Sequence, residues 1–377
     1  MDNINVLHLC SYYYGSKLYE NLFKDLGEKN IKQTVYIPIK YNTNIGEIKD
    51  FNNCSFLIKE TSNNFDRLFF YRKAKKNYDN LISEAKINAF NIIHAHTLFT
   101  NGYIGYKLYK KYKIPYIVAV RNTDVNVFFK YFIHLRKLGV EILLNAKKII
   151  FISPSYMDYT ISRYVPDKYK NEIQKKSVVI PNGINEYWVK NRSETSKRLI
   201  GNTIKLCYVG EITKNKNVHK VIEDIEVMKK NGKKISYDIV GDGDYLNTIK
   251  ELVEKHNLQD CVNIFGKIND KDKLKEIFNK NDIFVMTSSF ETFGLSYIEA
   301  LSQGIPVIYT KGQGIYGYYK EGHIGYAVEN GDSIIKAIDR IESRYEDISK
   351  NAIKVVDDFK WNLIGDKYKE IYDNILD

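Results

Sequence analysis

No run in this chain approaches the ~18 apolar residues that a membrane-spanning helix requires, so an integral membrane protein is excluded and a soluble, at most peripheral, one is expected. The opening residues, MDNINVLHLC, lack a basic start and a long apolar core, and no signal peptide is read. The four cysteines, Cys10, Cys54, Cys207 and Cys261, stand alone with no C-x-x-C pair. That excludes a disulfide framework and a zinc ribbon, and favours a reducing, cytoplasmic compartment. Neither G-x-S-x-G nor G-x-x-x-x-G-K-[ST] occurs, which removes the usual marks of serine hydrolases and P-loop enzymes. There is no low-complexity segment and no short-period repeat.

What is present is a globular composition: 44% apolar and 27% charged over 377 residues, long enough for two domains. The net charge of +11 is uneven. Residues 1–200 carry +15, whereas residues 201–377 carry −4. The first half therefore faces something anionic: nucleic acid, anionic lipid or a phosphate-bearing substrate.

Short apolar runs alternate with longer amphipathic stretches. In the first half the strand candidates are 4–10, 33–39, 91–96, 116–120, 149–153 and 177–181, with helices over 16–29, 101–113 and 129–146 among those between them. The scheme restarts at IKLCYVG (204–210) and continues to PVIYT (306–310). Such alternation predicts α/β domains with parallel sheets and crossover helices. Two doubly wound, Rossmann-like domains are expected, over residues 1–184 and 204–360. The polar stretch 185–203 reads as a linker. An amphipathic terminal helix, about 361–377, is free to pack back on the first domain. Ligands of open α/β sheets bind outside the carboxyl ends of the strands, so two such domains facing across a cleft would hold the chemistry there.

The stretch SSFETFGLSYIEALSQGIPVI (288–308) places Glu291 and Glu299 around a glycine-bearing helix start. The first N–H groups of that helix, those of Phe293, Gly294 and Leu295, would attract an anion. Glu299 falls about 40° around the helix from Leu295, at the border of an apolar arc. A carboxylate there needs donors, and sugar hydroxyls would serve. Taken alone, the pair reads more readily as a favourable charge before a helix and an edge residue reaching solvent.

These residues, from Ser289 through Glu291, Phe293, Gly294, Leu295, Glu299, Ala300 and Gly304 to Pro306-Val307-Ile308, resemble the characteristic stretch of the family 4 retaining glycosyltransferases. Weaker matches fall in the same order: VIPNGI (179–184), YVGEITKNKN (208–217), IVGDG, NIFGKI and the closing Phe359 and Trp361. The resemblance covers most of the chain, more closely in its second half. It implies the GT-B fold and transfer of a sugar from a nucleoside diphosphate sugar, UDP-sugar first, to a hydroxyl with retention of configuration. It implies the setting of bacterial surface polysaccharide or glycolipid synthesis. Glu291 would then hold the donor sugar, Lys216 the diphosphate and Glu299 the ribose. The backbone at Lys267 and Ile268 would meet the base. Gly210 and Gly15 would let loops approach the phosphates. No cofactor or metal is implied. The acceptor would be a glycan or a lipid-linked sugar, with peripheral membrane contact through the basic N-terminal domain at the inner face of the cell membrane.

Two positions depart from the family pattern. Glu211 stands where an arginine is usual, which leaves phosphate neutralisation to Lys216, helped by Lys214 or Arg121. In VAVRNTD (118–124), Arg121 and Asn122 stand where relatives carry His-Gly. Arg121 is suited to bidentate phosphate contact and Asn122 to sugar hydroxyls; equally, Arg121 could pair with Asp124 and shape the loop. HAH (94–96) ends a strand with His94 and His96 on one face. A metal pair is conceivable there, but no third ligand is visible. By resemblance His94, His96, Thr97 and Asp124 lie on the acceptor side. The alternatives are a GT-B nucleotide-sugar epimerase and a basic nucleic-acid-binding protein; no helix-turn-helix, zinc-finger or RNP pattern supports the latter, and no nucleic acid partner is expected.

Overall fold

A computed structural model describes residues 4–15, 17–43, 45, 49–63, 66 and 69–377. In chain order the main elements begin with β1 Asn5–Leu9, α1 Leu18–Glu28, β2 Lys32–Lys40, β3 Cys54–Ser62, α2 Phe70–Glu84, β4 Ile92–Ala95 and α3 Thr100–Tyr112. They continue with β5 Tyr116–Ala119, α4 Arg136–Asn145, β6 Lys148–Phe151, α5 Pro154–Tyr164, α6 Asp167–Lys176, β7 Ser177–Val179 and α7 Glu186–Lys190. Next come β8 Thr203–Val209, α8 Val218–Lys230, β9 Lys234–Val240, α9 Leu246–Lys255, β10 Val262–Gly266, α10 Lys271–Lys280, β11 Ile283–Met286 and α11 Leu295–Ser302. The chain closes with β12 Val307–Thr310, β13 Gly325–Val328, α12 Ile335–Glu342, α13 Tyr345–Val355 and α14 Trp361–Leu376. These form two compact units: residues 1–152, 157–183 and 361–377 in the first, and 153–156 with 184–360 in the second.

The first unit is built on a seven-stranded sheet in the order β3-β2-β1-β4-β5-β6-β7, with every pairing parallel. Its central strands read IIHA and YIVA because helices cover both faces and every residue is buried. The strand order reverses between β1 and β4. One face packs Val6, Leu22, Phe23, Leu26 and Val35 with Ile364, Tyr368, Ile371 and Tyr372 of α14 in one apolar cluster. Each buried side chain of that kind contributes about 1.5–3 kcal/mol. α14 approaches α1 so closely that a Cβ at Gly365 would meet Asp25 Oδ2 at 1.6 Å, so a larger residue there would have to displace that carboxylate.

The second unit carries a six-stranded sheet, β10-β9-β8-β11-β12-β13, again parallel throughout. Here the order reverses between β8 and β11, the switch point at which open α/β sheets bind ligands.

Three expectations are corrected. Residues 129–146 do not form one helix. A π-helical turn, Asp124–Phe129, and a short 3-10 turn, Ile133–Leu135, precede α4, and Phe132 between them leaves the helical region at φ −96°, ψ 67°.

The stretch 185–203 is no loose linker but part of the second unit. Asn185 caps α7 by accepting the Tyr187 N–H, and Trp188 is 1% exposed. Lys197 Nζ donates to the carbonyls of Phe278, Asn279 and Asn281 at 2.9–3.0 Å. These are the orphan acceptors at the end of α10, where a cation is favoured. Desolvation of that ammonium lowers its pKa to about 8.

Finally, β3 and β13 do not stand out in the sequence alternation. Both are sheet-edge strands. β3 is mostly half-exposed, and β13 opens on Gly325, where a Cβ would lie 1.8 Å from the Val307 carbonyl oxygen.

Candidate active site

The loops leaving β8 and β11 meet. After β8 the chain passes Gly210 and reaches Lys216; after β11 it passes Ser288 and reaches Glu291. Lys216 Nζ and Glu291 Oε2 are 2.7 Å apart, with the two side chains 19% and 13% exposed. Their placement is fixed by neighbours. Asn217 holds a left-handed φ of +55° and donates its amide to the Thr287 carbonyl at 2.7 Å and to Ser289 Oγ at 3.0 Å. Asn215 donates to the Phe290 carbonyl at 2.9 Å and accepts the Ser289 N–H through its own backbone oxygen at 2.8 Å. The Glu291 N–H donates to Gln313 Oε1 at 3.1 Å. Glu291 Oε1 accepts the Thr292 N–H at 3.0 Å and a long bond from the Phe293 N–H at 3.4 Å. A compact, charge-paired hairpin of two loops results, rather than a carboxylate waiting in solvent.

Gly294 precedes α11 with φ +82°, and a Cβ there would crowd the Tyr297 ring at 2.6 Å. The helix thus starts at the switch point of this sheet, with Leu295 as its first residue. Phe293 turns inward, its ring packed on Tyr318 and Phe359. One turn along, Glu299 is half-buried. Desolvation pushes its carboxyl up to about 7, against a hydrogen bond from Trp188 and the charge of Lys271. Lys267 and Ile268 follow β10, exposed and half-exposed respectively. Gly210 passes close to Gly241, whose Cβ would lie 1.8 Å from the Gly210 carbonyl oxygen. Glu211 is exposed, and its carbonyl accepts the Tyr208 hydroxyl at 2.7 Å.

In the first unit Gly15 ends the turn after β1, and a Cβ would strike the ring of Tyr12 at 2.3 Å. Asp124 is 1% exposed. Its carboxylate accepts the N–H groups of Leu98 (2.9 Å), Phe99 (3.1 Å) and Arg121 (2.9 Å), so it ties the loop after β4 to the loop after β5. Burial outweighs those bonds and raises its carboxyl to about 6. The Arg121 side chain engages Tyr368 of α14 and the charge of Asp124. Asn122 is exposed and accepts from Asn126 Nδ2. Thr97 Oγ1 accepts the Asn101 N–H at 3.3 Å, helping to start α3. His94 and His96 stack at 3.9 Å between ring centroids. Beside them lies His8 of β1, which sequence reasoning missed: its register opposite His94 follows from strand order, and no spacing along the chain announces it. Gln313, Asn217 and Trp188 were missed for the same reason, since each meets the motif residues through tertiary packing.

The motif residues of the second unit therefore converge where an α/β sheet binds ligands, and their neighbourhood supplies an anion-attracting helix start, an ammonium and two carboxyls. The sequence model of the glycosyl transferases group 1 matches residues 189–355, and that of glycosyltransferase family 4 matches residues 51–187. The chain belongs to glycosyltransferase family 4. An uncharacterized glycosyltransferase of Methanocaldococcus jannaschii is 24% identical to this enzyme over 371 residues, which span 95% of this chain and 93% of that one. Alpha-monoglucosyldiacylglycerol synthase of Streptococcus pneumoniae is 28% identical over 268 residues, 64% of this chain and 56% of its own. Among solved structures, sucrose-phosphate synthase of Thermosynechococcus elongatus superposes with a TM-score of 0.74 at 18% identity, covering 99% of each chain. HepE of Anabaena, in complex with UDP-glucose, gives 0.65 at 14% identity, covering 98% of this glycosyltransferase and all of the other chain. These likenesses establish the GT-B fold for the glycosyltransferase.

Proposed function

We propose that this glycosyltransferase moves a sugar from a nucleoside diphosphate sugar, a UDP-sugar first, onto a hydroxyl of a glycan or lipid-linked acceptor, with retention at the anomeric carbon. The observation that carries the reading is the Lys216–Glu291 pair at 2.7 Å beside the start of α11. The HepE complex with UDP-glucose and the glycolipid synthase support donor and acceptor classes respectively.

The chemistry follows from the parts. The diphosphate leaves as the sugar becomes oxocarbenium-like, and the acceptor hydroxyl attacks from the same face while a donor phosphate oxygen takes its proton. Nothing in that scheme asks for a protein nucleophile. The protein's task is to orient the donor and stabilise charge developing on the leaving group. Lys216 exchanges part of its contact with Glu291 for the diphosphate, helped by the helix start at Gly294 and Leu295. Glu291, freed on one oxygen, accepts from the sugar hydroxyls. Glu299 takes the ribose, and the chain at Lys267 and Ile268 takes the base. For the first unit the family resemblance leaves Gly15 to the phosphates and Asn122 to the sugar hydroxyls.

The setting is the cytoplasmic face of a bacterial membrane, in surface polysaccharide or glycolipid synthesis. Among the described residues no helix is long and apolar enough to cross a membrane. A peripheral contact is supported by the exposed Val127, Tyr131 and Ile133, which sit beside Lys130 in the basic half of the chain.

A thermal-shift screen against a panel of nucleoside diphosphate sugars tests the donor. At a hundredfold excess over its dissociation constant, the true donor stabilises by about 2.7 kcal/mol. No shift with any donor would sink the proposal.

A further inference from the structure

The switch point of the first unit, between β1 and β4, holds three adjoining imidazoles. His8, His94 and His96 are each wholly buried. β1 and β4 pair His8 directly with His94, and alternation along β4 turns His96 to the same face. His8 Nδ1 and His96 Nε2 stand 3.0 Å apart. His94 Nδ1 meets the Tyr372 hydroxyl of α14 at 2.7 Å, which leaves Nε2 as the nitrogen facing inward. One ring nitrogen of each histidine lies within 4.8 Å of those of the other two.

Three ring nitrogens of this group, His8 Nε2, His94 Nε2 and His96 Nδ1, find no protein partner. Each buried and unsatisfied polar atom costs about 1–3 kcal/mol, and three on adjoining rings call for an explanation. We propose that His8, His94 and His96 form a site for one transition-metal ion of the Zn2+ type, bound by three imidazole nitrogens. The inference does not depend on the donor or acceptor assigned above.

The donor set fits that ion. Imidazole suits borderline metals, and three histidines with one open position form a known kind of zinc shell. Nitrogens sharing a tetrahedral Zn2+ stand about 3.3 Å apart. The His8 Nδ1–His96 Nε2 pair is already near that spacing, and a nitrogen of His94 lies within 4.8 Å. The outer shell is also built. Tyr372 engages the far nitrogen of His94. Such partners fix ring orientation and tautomer. Burial holds all three rings in the neutral form that binds metal, with His8 lowered to about 3 and His94 and His96 well below their ordinary value. Arg121 opposes a cation here, but its charge is set against that of Asp124. Tyr19, Tyr368 and the Cys10 thiol complete the surroundings, all driven toward their neutral forms by burial. The ion would bolt β1, β4 and, through Tyr372, α14 into one piece, with no step of sugar transfer passing through it.

The test uses full-length protein with its affinity tag removed. After chelator treatment and gel filtration it is titrated with ZnCl2, and separately with CoCl2. Expected are one ion per chain by elemental analysis, a visible Co2+ spectrum of four- or five-coordinate strength, and a raised Tm. His8→Gln and His94→Gln should each abolish the Co2+ band. Because either could misfold, Tyr372→Phe is the second variant. It keeps all three ligands and should weaken binding about 10-fold or more. Substoichiometric metal with the pale spectrum of aqueous Co2+ in the wild-type protein would overturn the proposal, as would full binding in both His variants.

Discussion

The two units share a topology and differ at the same place. Each sheet reverses order beside its first strand, and each gathers polar side chains at that reversal. In the second unit these are a lysine and a glutamate on loops, partly exposed and held by backbone hydrogen bonds. In the first they are imidazoles, a guanidinium and an aspartate, packed among aromatic rings. A reversal point thus serves equally as a ligand seat or as a polar core, and exposure decides which. Charged groups left partly hydrated can change partners when a ligand arrives. Buried ones are committed to the fold, because removing a partner strands the other without water.

The largest contrast should come from one substitution in each unit. Glu291→Ala should lower transfer by about 10³-fold or more, while the melting temperature moves by only a few degrees. Steady-state kinetics beside calorimetry will show whether the loss is catalytic. A variant that transfers normally would remove Glu291 from the site. Asp124→Ala should act the other way. It strands the buried N–H groups of Leu98, Phe99 and Arg121, at a cost of about 1–3 kcal/mol for each that finds no new partner. Urea unfolding should show a large drop in midpoint; an unchanged midpoint would mean that Asp124 holds nothing.

The smallest effect is a pH slope. Glu299 in the folded protein is raised to about 7 and Asp124 to about 6, against ordinary values near 4 in the unfolded chain. Between those limits the folded state binds more protons than the unfolded one. Stability from these two groups is therefore greatest at low pH and falls as pH rises from about 4 to 7. Glu299→Gln should flatten the upper part of that slope in denaturation curves taken at several pH values. Asp124→Asn should flatten the lower part. A slope that both variants leave untouched would contradict the burial assigned to these carboxyls.

The alternation of the chain foretold its central strands well, because strands buried on both faces must be continuous apolar runs. It missed one edge strand of each sheet. β3, half-exposed, and β13, opened by Gly325, carry weaker patterns. It also took 185–203 for a tether, since a polar stretch reads as solvent-facing. Lys197 shows why that fails: a lysine serving three helix-end carbonyls looks like any surface lysine in the sequence. For the site, the motif gave Glu291 and its neighbourhood, and the loop motif gave Lys216. The contact between them required the strand order, as did the meeting of His8 with His94. Pairings across 75 and 86 residues leave no local trace.

The route of the backbone has a practical corollary for anyone recombining such enzymes. Because α14 belongs with the first unit, a fragment ending at residue 183 would lack the helix that covers Phe23 and Leu26. It would expose a sticky apolar face. A chimera that exchanges one unit for a relative's therefore needs two junctions, near 183/184 and 360/361, with the terminal helix travelling alongside the N-terminal sheet. Gly365 and Asp25, which touch across that helix contact, form a pair that should be inherited from the same parent.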